Sequence, residues 1–175
     1  AAMLLDDTHN AAPASMIAGL ETLKALPTNS RIAVLGDMLR LGSYEEEAHR
    51  LVGQKAAQCV DYLITRGERA AIIAESARLS GFAAERIIIT STHEDAAQAV
   101  QRIVSEEASA INSTYRFTVL IKGSEETRME RVVELLMAEP ELAPERLVRQ
   151  TPGWKQIVVM RPERPTWVEI DLSAI

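Results

Sequence analysis

The chain has 175 residues, of which 47% are apolar and 25% charged, a composition typical of a folded globular protein with one main domain. Its net charge of −6 argues against nucleic acid or an anionic membrane as the main partner, because both are bound through clustered lysine and arginine. No apolar run approaches the ~20 residues of a membrane span, and no leader-like segment opens the chain, so we expect a cytoplasmic protein.

The sequence offers little for disulfide or metal chemistry. Its one cysteine, Cys59, cannot form an internal disulfide and is predicted to be a buried structural thiol on a helix. The three histidines and this cysteine are far apart in sequence, so no metal site is predicted. Because the chain starts directly in a strand-like run without a methionine, we expect it to be a segment of a longer protein.

Short apolar runs alternate with segments of helical periodicity along the first part of the chain. Runs without polar alternation, such as Ile87–Ile89 and Val119–Ile121, are typical of central strands covered on both faces. Strict alternation with short connections predicts an α/β fold, a doubly wound and mainly parallel sheet with helices on both faces. The predicted strands are Met3–Leu5, Arg31–Leu35, Tyr62–Thr65, Arg86–Thr90 and Phe117–Ile121.

Helix boundaries are also signalled. Ser43–Glu46 and Thr92–Asp95 have the spacing of capping boxes, and Gly81 is expected to end the third helix. Apolar residues recur at helical spacing in four segments: Met16, Ile17, Leu20 and Leu23; Ala48, Leu51, Val52 and Ala56; Ala96, Val100, Ile103 and Val104; Met129, Val132, Val133 and Leu136.

The texture changes after residue 138, where prolines become frequent. We therefore predict a domain over residues 1–138 and an interdomain connector over 139–163, partly packed on the domain. Within the connector, Pro144–Gln150 could form a short helix and Gln156–Met160 a short strand.

The loop Asp6–Pro13 joins the first strand to the first helix. Ligands of open α/β sheets bind beyond the carboxyl ends of the strands, so this loop is a candidate site. Asp7 is the strongest candidate, because a carboxylate there can accept hydrogen bonds from ribose hydroxyls or hold a water on Mg²⁺. His9 and Asn10 can contact a ligand, but each can equally be an ordinary turn residue.

Two later loops also follow predicted strands. Gly36–Gly42 has glycine at both ends, which permits close approach to a ligand or to a neighbouring chain segment, and it contains Asp37. His49 lies on the next helix and is more typical of a structural residue.

The last loop places Lys122, Gly123 and Ser124 after a strand, with Arg128 one turn further on. Free backbone amides, a hydroxyl and two cations there could hold a carboxylate or phosphate, although a simple helix cap explains the same residues. The sequence has neither a G-x-x-x-x-G-K-[ST] loop nor a G-x-G-x-x-G after the first strand, so a complete triphosphate or dinucleotide site is not expected.

All three loops resemble, in the right order, one family. DDTHNAAPAS, AVLGDMLRLGSYEEEAHRLVG and VLIKGSEETRMERVVELL are similar to conserved segments in the C-terminal domain of the Mur ligases, specifically the MurF branch. GDM-x-x-LG with a downstream His, KGS and RMERVV are the most specific parts. The resemblance extends from Met3 to about Ala138 and implies a Rossmann-like domain.

The resemblance implies an activity for the full-length protein. Such ligases use ATP to convert the carboxylate of UDP-N-acetylmuramoyl tripeptide into an acyl phosphate, which the amine of D-alanyl-D-alanine attacks. ATP and Mg²⁺ would be bound mainly by a central ligase domain in cis, outside this chain, and the isolated chain would be inactive. By match to the family motifs, Asp7 and Asn10 would face the nucleotide, with His9 beside them on the same loop. Lys122, Ser124 and Arg128 would face the dipeptide, and Asp37 and His49 would support the site.

The chain departs from the family pattern at several positions. Ala12 stands where the family has an Asn before Pro13, which removes a helix cap worth about 1 kcal/mol and puts a nucleotide contact in question. Glu125 stands where the family often has Arg, so the cationic character of the dipeptide loop is weaker. Other departures are His9 for Tyr, Ala14 for Asp and Arg40 for Glu.

Residues 164–175 carry a second resemblance, to the opening strand of alanine racemase, a pyridoxal-phosphate enzyme. This implies a fused ligase and racemase, with the cofactor lysine and pyridoxal phosphate outside this chain; an incidental linker is the alternative. For the domain itself, the alternatives are another amide ligase of the folylpolyglutamate synthase type and a non-catalytic flavodoxin-like interaction module.

Overall fold

Five parallel strands form one sheet in the computed structural model, which describes residues 2–110 and 116–147. The strands lie in the order β1-β5-β2-β3-β4, so the last of the described strands is inserted between the first two. The predicted α/β class with a parallel sheet is confirmed. The strand bounds are Ala2–Asp7 (β1), Ser30–Gly36 (β2), Tyr62–Arg66 (β3), Ile87–Thr90 (β4) and Phe117–Lys122 (β5).

Helices connect the strands, and short 3₁₀ turns precede several of them. The 3₁₀ turns are Gly42–Tyr44, Ala84–Arg86, Glu125–Thr127 and Pro140–Leu142. The helix bounds are Pro13–Ala25 (α1), Glu45–Cys59 (α2), Ala70–Leu79 (α3), His93–Ala110 (α4), Glu130–Leu136 (α5) and Ala143–Arg146 (α6).

The alternation of side chains along each strand builds two cores, one on each face of the sheet. On β2, Ala33 and Leu35 face the core shared with α1, α2 and α3. Ile32 and Val34 face the other core, shared with α4 and α5. Helices therefore cover both faces, as predicted, and β5 is buried along its whole length.

The prediction that Ile87–Ile89 is a central strand is wrong. β4 lies at the edge of the sheet and pairs with β3 alone among the described strands. The side chain of Ile89 is 60% exposed. A run of apolar residues indicates that both faces of a strand can be covered by other elements. It does not indicate whether the strand has a neighbouring strand on each side. The equivalent prediction for Val119–Ile121 is confirmed, because β5 lies between β1 and β2.

The two predicted capping boxes have different outcomes. The Thr92 hydroxyl accepts a hydrogen bond from the Asp95 amide at 3.0 Å, so Thr92 caps α4 as expected. Ser43 is not a cap, because it lies inside the 3₁₀ turn and α2 begins only at Glu45. Three glutamates in the first turn of α2 complement the helix dipole instead. Gly81 follows α3 with φ of +89°, which confirms the predicted helix end.

The last described residues pack on the domain. Ala143 is fully buried, and Leu147 contacts the core formed with α4 and α5. The predicted strand Gln156–Met160, the end of the predicted helix Pro144–Gln150 and the racemase-like segment 164–175 lie outside the described residues. Within the described ranges, none of the helices is both long and apolar enough to cross a membrane.

Candidate functional site

The strand register brings the three predicted loops to the same edge of the sheet. Asp7 of β1 is the register partner of Lys122 of β5, and Lys122 is in turn opposite Leu35 of β2. The helices after β1 and β5 pack on opposite faces of the sheet. Adjacent loops that diverge in this way open a crevice, the usual ligand position in doubly wound sheets.

An ion pair joins the first loop to the third. The Lys122 ammonium lies 2.8 Å from Asp7 Oδ2 and donates to the backbone carbonyl of Asn10, also at 2.8 Å. The Lys122 side chain is only 2% exposed, whereas that of Asp7 is 48% exposed. The carboxylate is therefore held from inside the protein and presented to solvent on its outer side.

The two aspartates of the first loop have different roles. The Asp6 carboxylate accepts from the amide and the hydroxyl of Thr8, at 3.1 and 2.7 Å, and so forms the turn. Asp7 is left as the carboxylate that faces the crevice. His9 is exposed, and Asn10 is exposed with its side-chain oxygen accepting from the Ala11 amide at 2.8 Å.

The start of α1 lacks the cap that the family motif would provide. Ala12 occupies the N-cap position and has no side chain able to accept a hydrogen bond. The Ser15 hydroxyl instead accepts from the Ala12 amide at 3.0 Å and donates to the Ala12 carbonyl at 2.9 Å. Ser15 therefore recovers part of the capping that the substitution removes.

The second loop is shaped by two buried polar side chains. His49 is fully buried; its Nε2 accepts from the Met38 amide at 3.1 Å, and its Nδ1 lies 2.7 Å from the Glu45 carbonyl, to which it donates. Because Nε2 accepts from an amide, Nδ1 is the ring nitrogen that donates. Asp37 accepts from the Ala70 amide at 2.7 Å and so caps α3. His49 therefore fixes the backbone of the second loop at Met38, and Asp37 joins this loop to α3.

The third loop is fastened to the second. The Ser124 hydroxyl accepts from the Leu39 amide at 2.9 Å, and the Ser124 amide donates to the Asp37 carbonyl at 2.9 Å. The Ser124 amide is therefore not one of the free backbone amides expected in this loop, since it is already bonded to the neighbouring loop.

Glycines 36 and 123 permit a close approach of protein rather than of a ligand. A Cβ atom on Gly123 would lie 2.6 Å from Met129 Cγ and 2.7 Å from Thr127 Oγ1. On Gly36, it would lie 2.9 Å from Met129 Cγ. The turn after β5 thus fills the crevice between β2 and β5, which leaves the crevice between β1 and β5 as the candidate ligand position.

Arg128 adopts a left-handed backbone conformation, with φ of +53°. Its Nε lies 2.6 Å from Oε1 of Glu130, a carboxylate that is 3% exposed. The Arg128 side chain is 29% exposed and lies at the rim of the turn. Arg128 is therefore partly accessible to solvent and already paired with an acidic partner.

Two residues that the sequence analysis did not single out also hold this turn. Arg66 at the end of β3 and His93 at the start of α4 both donate to the Thr127 carbonyl, at 3.2 and 2.8 Å. Burial lowers the pKa of His93 below its ordinary value. The signal that could have found Arg66 is its position, since it is a charged residue at the carboxyl end of β3, as Asp7 is at the carboxyl end of β1.

A groove of about 500 Å³ leads along β1 to the ion pair, lined by Leu5, Ser15, Gly19, Asp7 and Lys122 among others. A groove of similar size, about 520 Å³, lies beside β4. Groove volume therefore does not distinguish the two, and the groove beside β1 is taken as the candidate site because the charged groups Asp7 and Lys122 meet there. In the described part of the chain, no three histidine, cysteine or carboxylate side chains converge as a set of metal ligands.

The chain is similar to known proteins in sequence and in fold. Residues 1–125 match the family model described as "Mur ligase, glutamate ligase domain". A UDP-N-acetylmuramoyl-tripeptide--D-alanyl-D-alanine ligase of Bacillus subtilis is 31% identical over 139 residues, which make up 78% of this chain and 28% of that protein.

Two solved structures are similar to this chain in fold. A crystal structure of MurF from Acinetobacter baumannii matches with a TM-score of 0.66 at 25% identity, over 77% of this chain and 28% of that one. The MurF ligase from Thermotoga maritima in complex with ADP shares the fold with a TM-score of 0.55 at 22% identity, over 83% of this chain and 29% of that one. The chain thus spans little more than a quarter of the length of these proteins.

Proposed function

The chain belongs to the Mur ligase family, within its glutamate ligase domain, and from this we propose that it is the C-terminal domain of an ATP-dependent ligase. The proposed ligase joins D-alanyl-D-alanine to UDP-N-acetylmuramoyl tripeptide in peptidoglycan synthesis. The Bacillus subtilis relative carries that activity in its name, and its identity of 31% extends over 78% of this chain. The remaining domains, in cis, would supply the phosphate and Mg²⁺ sites.

The proposed reaction has two steps. A tripeptide carboxylate oxygen attacks the γ-phosphorus of ATP, so that the bond to the β-phosphate breaks and an acyl phosphate and ADP form. The amine of D-alanyl-D-alanine then attacks the acyl carbon, loses a proton and expels inorganic phosphate, which leaves an amide. Both steps need the reactants held in line and away from water, which is the contribution of a domain that closes over the centre.

One observation carries the nucleotide part of this proposal, namely the half-exposed carboxylate of Asp7 at the crevice between β1 and β5. A carboxylate at the carboxyl edge of a parallel sheet is suited to accept hydrogen bonds from both ribose hydroxyls. His9 and Asn10 are exposed on the same loop and would contact the ribose or the base. These residues fit the ribose side of a nucleotide rather than its phosphates, because the loop is acidic.

The dipeptide would lie toward the third loop. Arg128 is exposed enough to bind the carboxylate of D-alanyl-D-alanine, since arginine is well suited to bidentate carboxylate recognition. Ser124 is 2% exposed and engaged with the second loop, so its part would be to fix the loop. Asp37 and His49 would act in the same way, through the backbone that they hold.

We further propose that this domain belongs to a cytoplasmic ligase fused to an alanine racemase, based on the resemblance of residues 164–175. Pyridoxal phosphate would then bind in the racemase part, outside this chain. Such a fusion would couple the formation of D-alanine to the use of its dipeptide. Purification of the longer protein and assay for alanine racemisation tests this, and a longer sequence without a racemase domain would contradict it.

The activity is tested in the longer ligase that we propose contains this chain, by measuring amide formation from ATP, UDP-N-acetylmuramoyl tripeptide and a series of amines. We expect turnover with D-alanyl-D-alanine. Glutamate as the preferred amine would instead indicate a ligase of the folylpolyglutamate synthase type, and no turnover with any amine would indicate a non-catalytic module.

Site assignment is tested in the same enzyme with Asp7→Ala and a matched control, Glu21→Gln. Glu21 is also a carboxylate paired with a lysine, Lys55 at 2.6 Å, but it lies on α1 outside the crevice. We expect Asp7→Ala to lower kcat/KM at least tenfold, on the order of 1.4 kcal/mol, and Glu21→Gln to leave it unchanged. Equal activities of the two variants would show that Asp7 is not part of the site.

A further inference from the structure

Lys122 has surroundings unlike those of a substrate-binding lysine. Its side chain is only 2% exposed. A lysine is almost never buried to this extent unless a partner compensates its charge. The ammonium bonds to Asp7 Oδ2 and to the Asn10 carbonyl, both at 2.8 Å. Both partners belong to the segment Asp6–Pro13 at the end of β1, and neither belongs to the loop after β5.

The burial leaves the lysine little capacity to bind a ligand directly. An ammonium has three donors, of which two are taken by the first loop. The exposed member of the pair is Asp7, with 48% of its side chain accessible. Any ligand in this crevice therefore meets the carboxylate first, with the lysine behind it.

We propose that Lys122 is a positioning residue for the nucleotide side of the site, which acts through Asp7 and the Asn10 backbone and does not contact the dipeptide. The inference rests on the proposed function and replaces the dipeptide-facing role that the family resemblance implied for Lys122. Lys122 fixes the rotamer of the Asp7 carboxylate and the path of the loop to Asn10 before a ligand arrives. This preorganisation removes an ordering cost from nucleotide binding.

The charge of Lys122 has a second effect. An isolated carboxylate would repel the polyphosphate of an approaching nucleotide, whereas a carboxylate paired with an ammonium 2.8 Å away carries little net charge at a distance. The pair can therefore accept hydrogen bonds from the ribose without opposing the phosphates.

The test is a double-mutant cycle in the longer ligase with Asp7→Asn, Lys122→Met and the double variant, and KM is measured separately for ATP and for D-alanyl-D-alanine. Lys122→Met keeps the length of the side chain but removes the charge, and Asp7→Asn keeps an acceptor for the ammonium. We expect each single variant and the double variant to raise the KM for ATP by a similar factor, about tenfold. The KM for the dipeptide is expected to stay within about twofold.

Lys122→Arg provides a second variant that retains the cation in case Lys122→Met does not fold. We expect a smaller rise in the KM for ATP than with methionine, and no change in the KM for the dipeptide. A raised KM for the dipeptide with an unchanged KM for ATP, or additive effects of the two single substitutions, would overturn the inference.

Failure of the inference can be separated from failure of the proposed function by titrating the same variants with ADP in the absence of the dipeptide. If the wild-type protein forms no amide but Asp7 and Lys122 are coupled in ADP affinity, the proposed function fails and the inference stands. If the wild type is active and the coupling is absent, the inference alone fails. If the wild type neither turns over nor binds ADP, both are wrong.

Discussion

Several polar residues of the carboxyl edge bond to the backbone, not to solvent. His49, Asp37 and Ser124 each accept a hydrogen bond from an amide of a loop or helix end. Buried polar groups in proteins are nearly always bonded in this way, because an unpaired one costs about 1–3 kcal/mol. A family motif at this edge therefore includes residues that shape the loops as well as residues that face the crevice.

His93 gives a prediction for the dependence of stability on pH. Burial lowers the pKa of His93 below its ordinary value of 6.5, so the unfolded chain binds more protons than the folded chain as pH falls through this range. The stabilisation is present above pH 6.5 and is lost as pH decreases. We expect the free energy of unfolding, measured with urea from pH 7.5 to 5, to fall more steeply in the wild type than in His93→Gln.

Glutamine is the suitable replacement because its amide can still donate to the Thr127 carbonyl, which His93 Nε2 contacts at 2.8 Å. The other histidines are present in both proteins, so their contributions cancel in the comparison. Identical pH slopes for the two proteins would mean that His93 titrates at its ordinary pKa.

Among the strands and helices, the turn after β5 is packed against the sheet at two glycines. A Cβ atom on Gly123 would lie 3.2 Å from Gly36 Cα, in addition to its contacts with Met129 and Thr127. Because backbone cannot move aside as a flexible side chain does, we expect Gly123→Ala to lower the free energy of unfolding by about 1–3 kcal/mol.

Gly19→Ala is the control, measured by the same urea titration. Gly19 lies inside α1, and an added Cβ would meet its nearest neighbours at 3.4 Å or more. We expect this variant to be more stable than the wild type by about 0.5–1 kcal/mol, because alanine favours the helix. If both variants lose stability equally, the loss at Gly123 cannot be attributed to its close packing.

The edge position of β4 predicts a contrast with β5. Val119 is fully buried and Ile89 is 60% exposed, although both belong to continuous apolar runs. We expect Val119→Thr to lower the free energy of unfolding by about 1–3 kcal/mol, since the hydroxyl of the introduced threonine would be buried. Ile89→Thr should change it by less than about 0.5 kcal/mol, and comparable losses for both would contradict the exposure of β4.

For the chain as a whole, we predict that the purified protein of 175 residues does not hydrolyse ATP. The sequence contains no G-x-x-x-x-G-K-[ST] loop to hold the triphosphate, and the candidate site offers an acidic loop suited to a ribose. The measurement is release of ADP over time, with the longer ligase as the positive control. Turnover above the rate without protein would refute the prediction.

The sequence was sufficient to predict the α/β class, the helices on both faces of the sheet and the three loops at the ends of strands. These follow from local rules, since the apolar period specifies the element and its buried faces, and parallel strands bring their carboxyl ends to one edge. The missing cap at Ala12 could also be read directly, because N-capping depends on one side chain.

The order of the strands and the partners of the polar side chains required the folded structure. That Ile89 lies at an edge depends on how strands distant in sequence pair, and no local pattern reports this. That Lys122 is buried against Asp7, 115 positions away in the numbering, depends on β5 lying beside β1. The pairing of β5 with β1 determines where the charge of Lys122 lies. It therefore decides whether this lysine would contact a ligand directly or would hold Asp7, which faces the crevice.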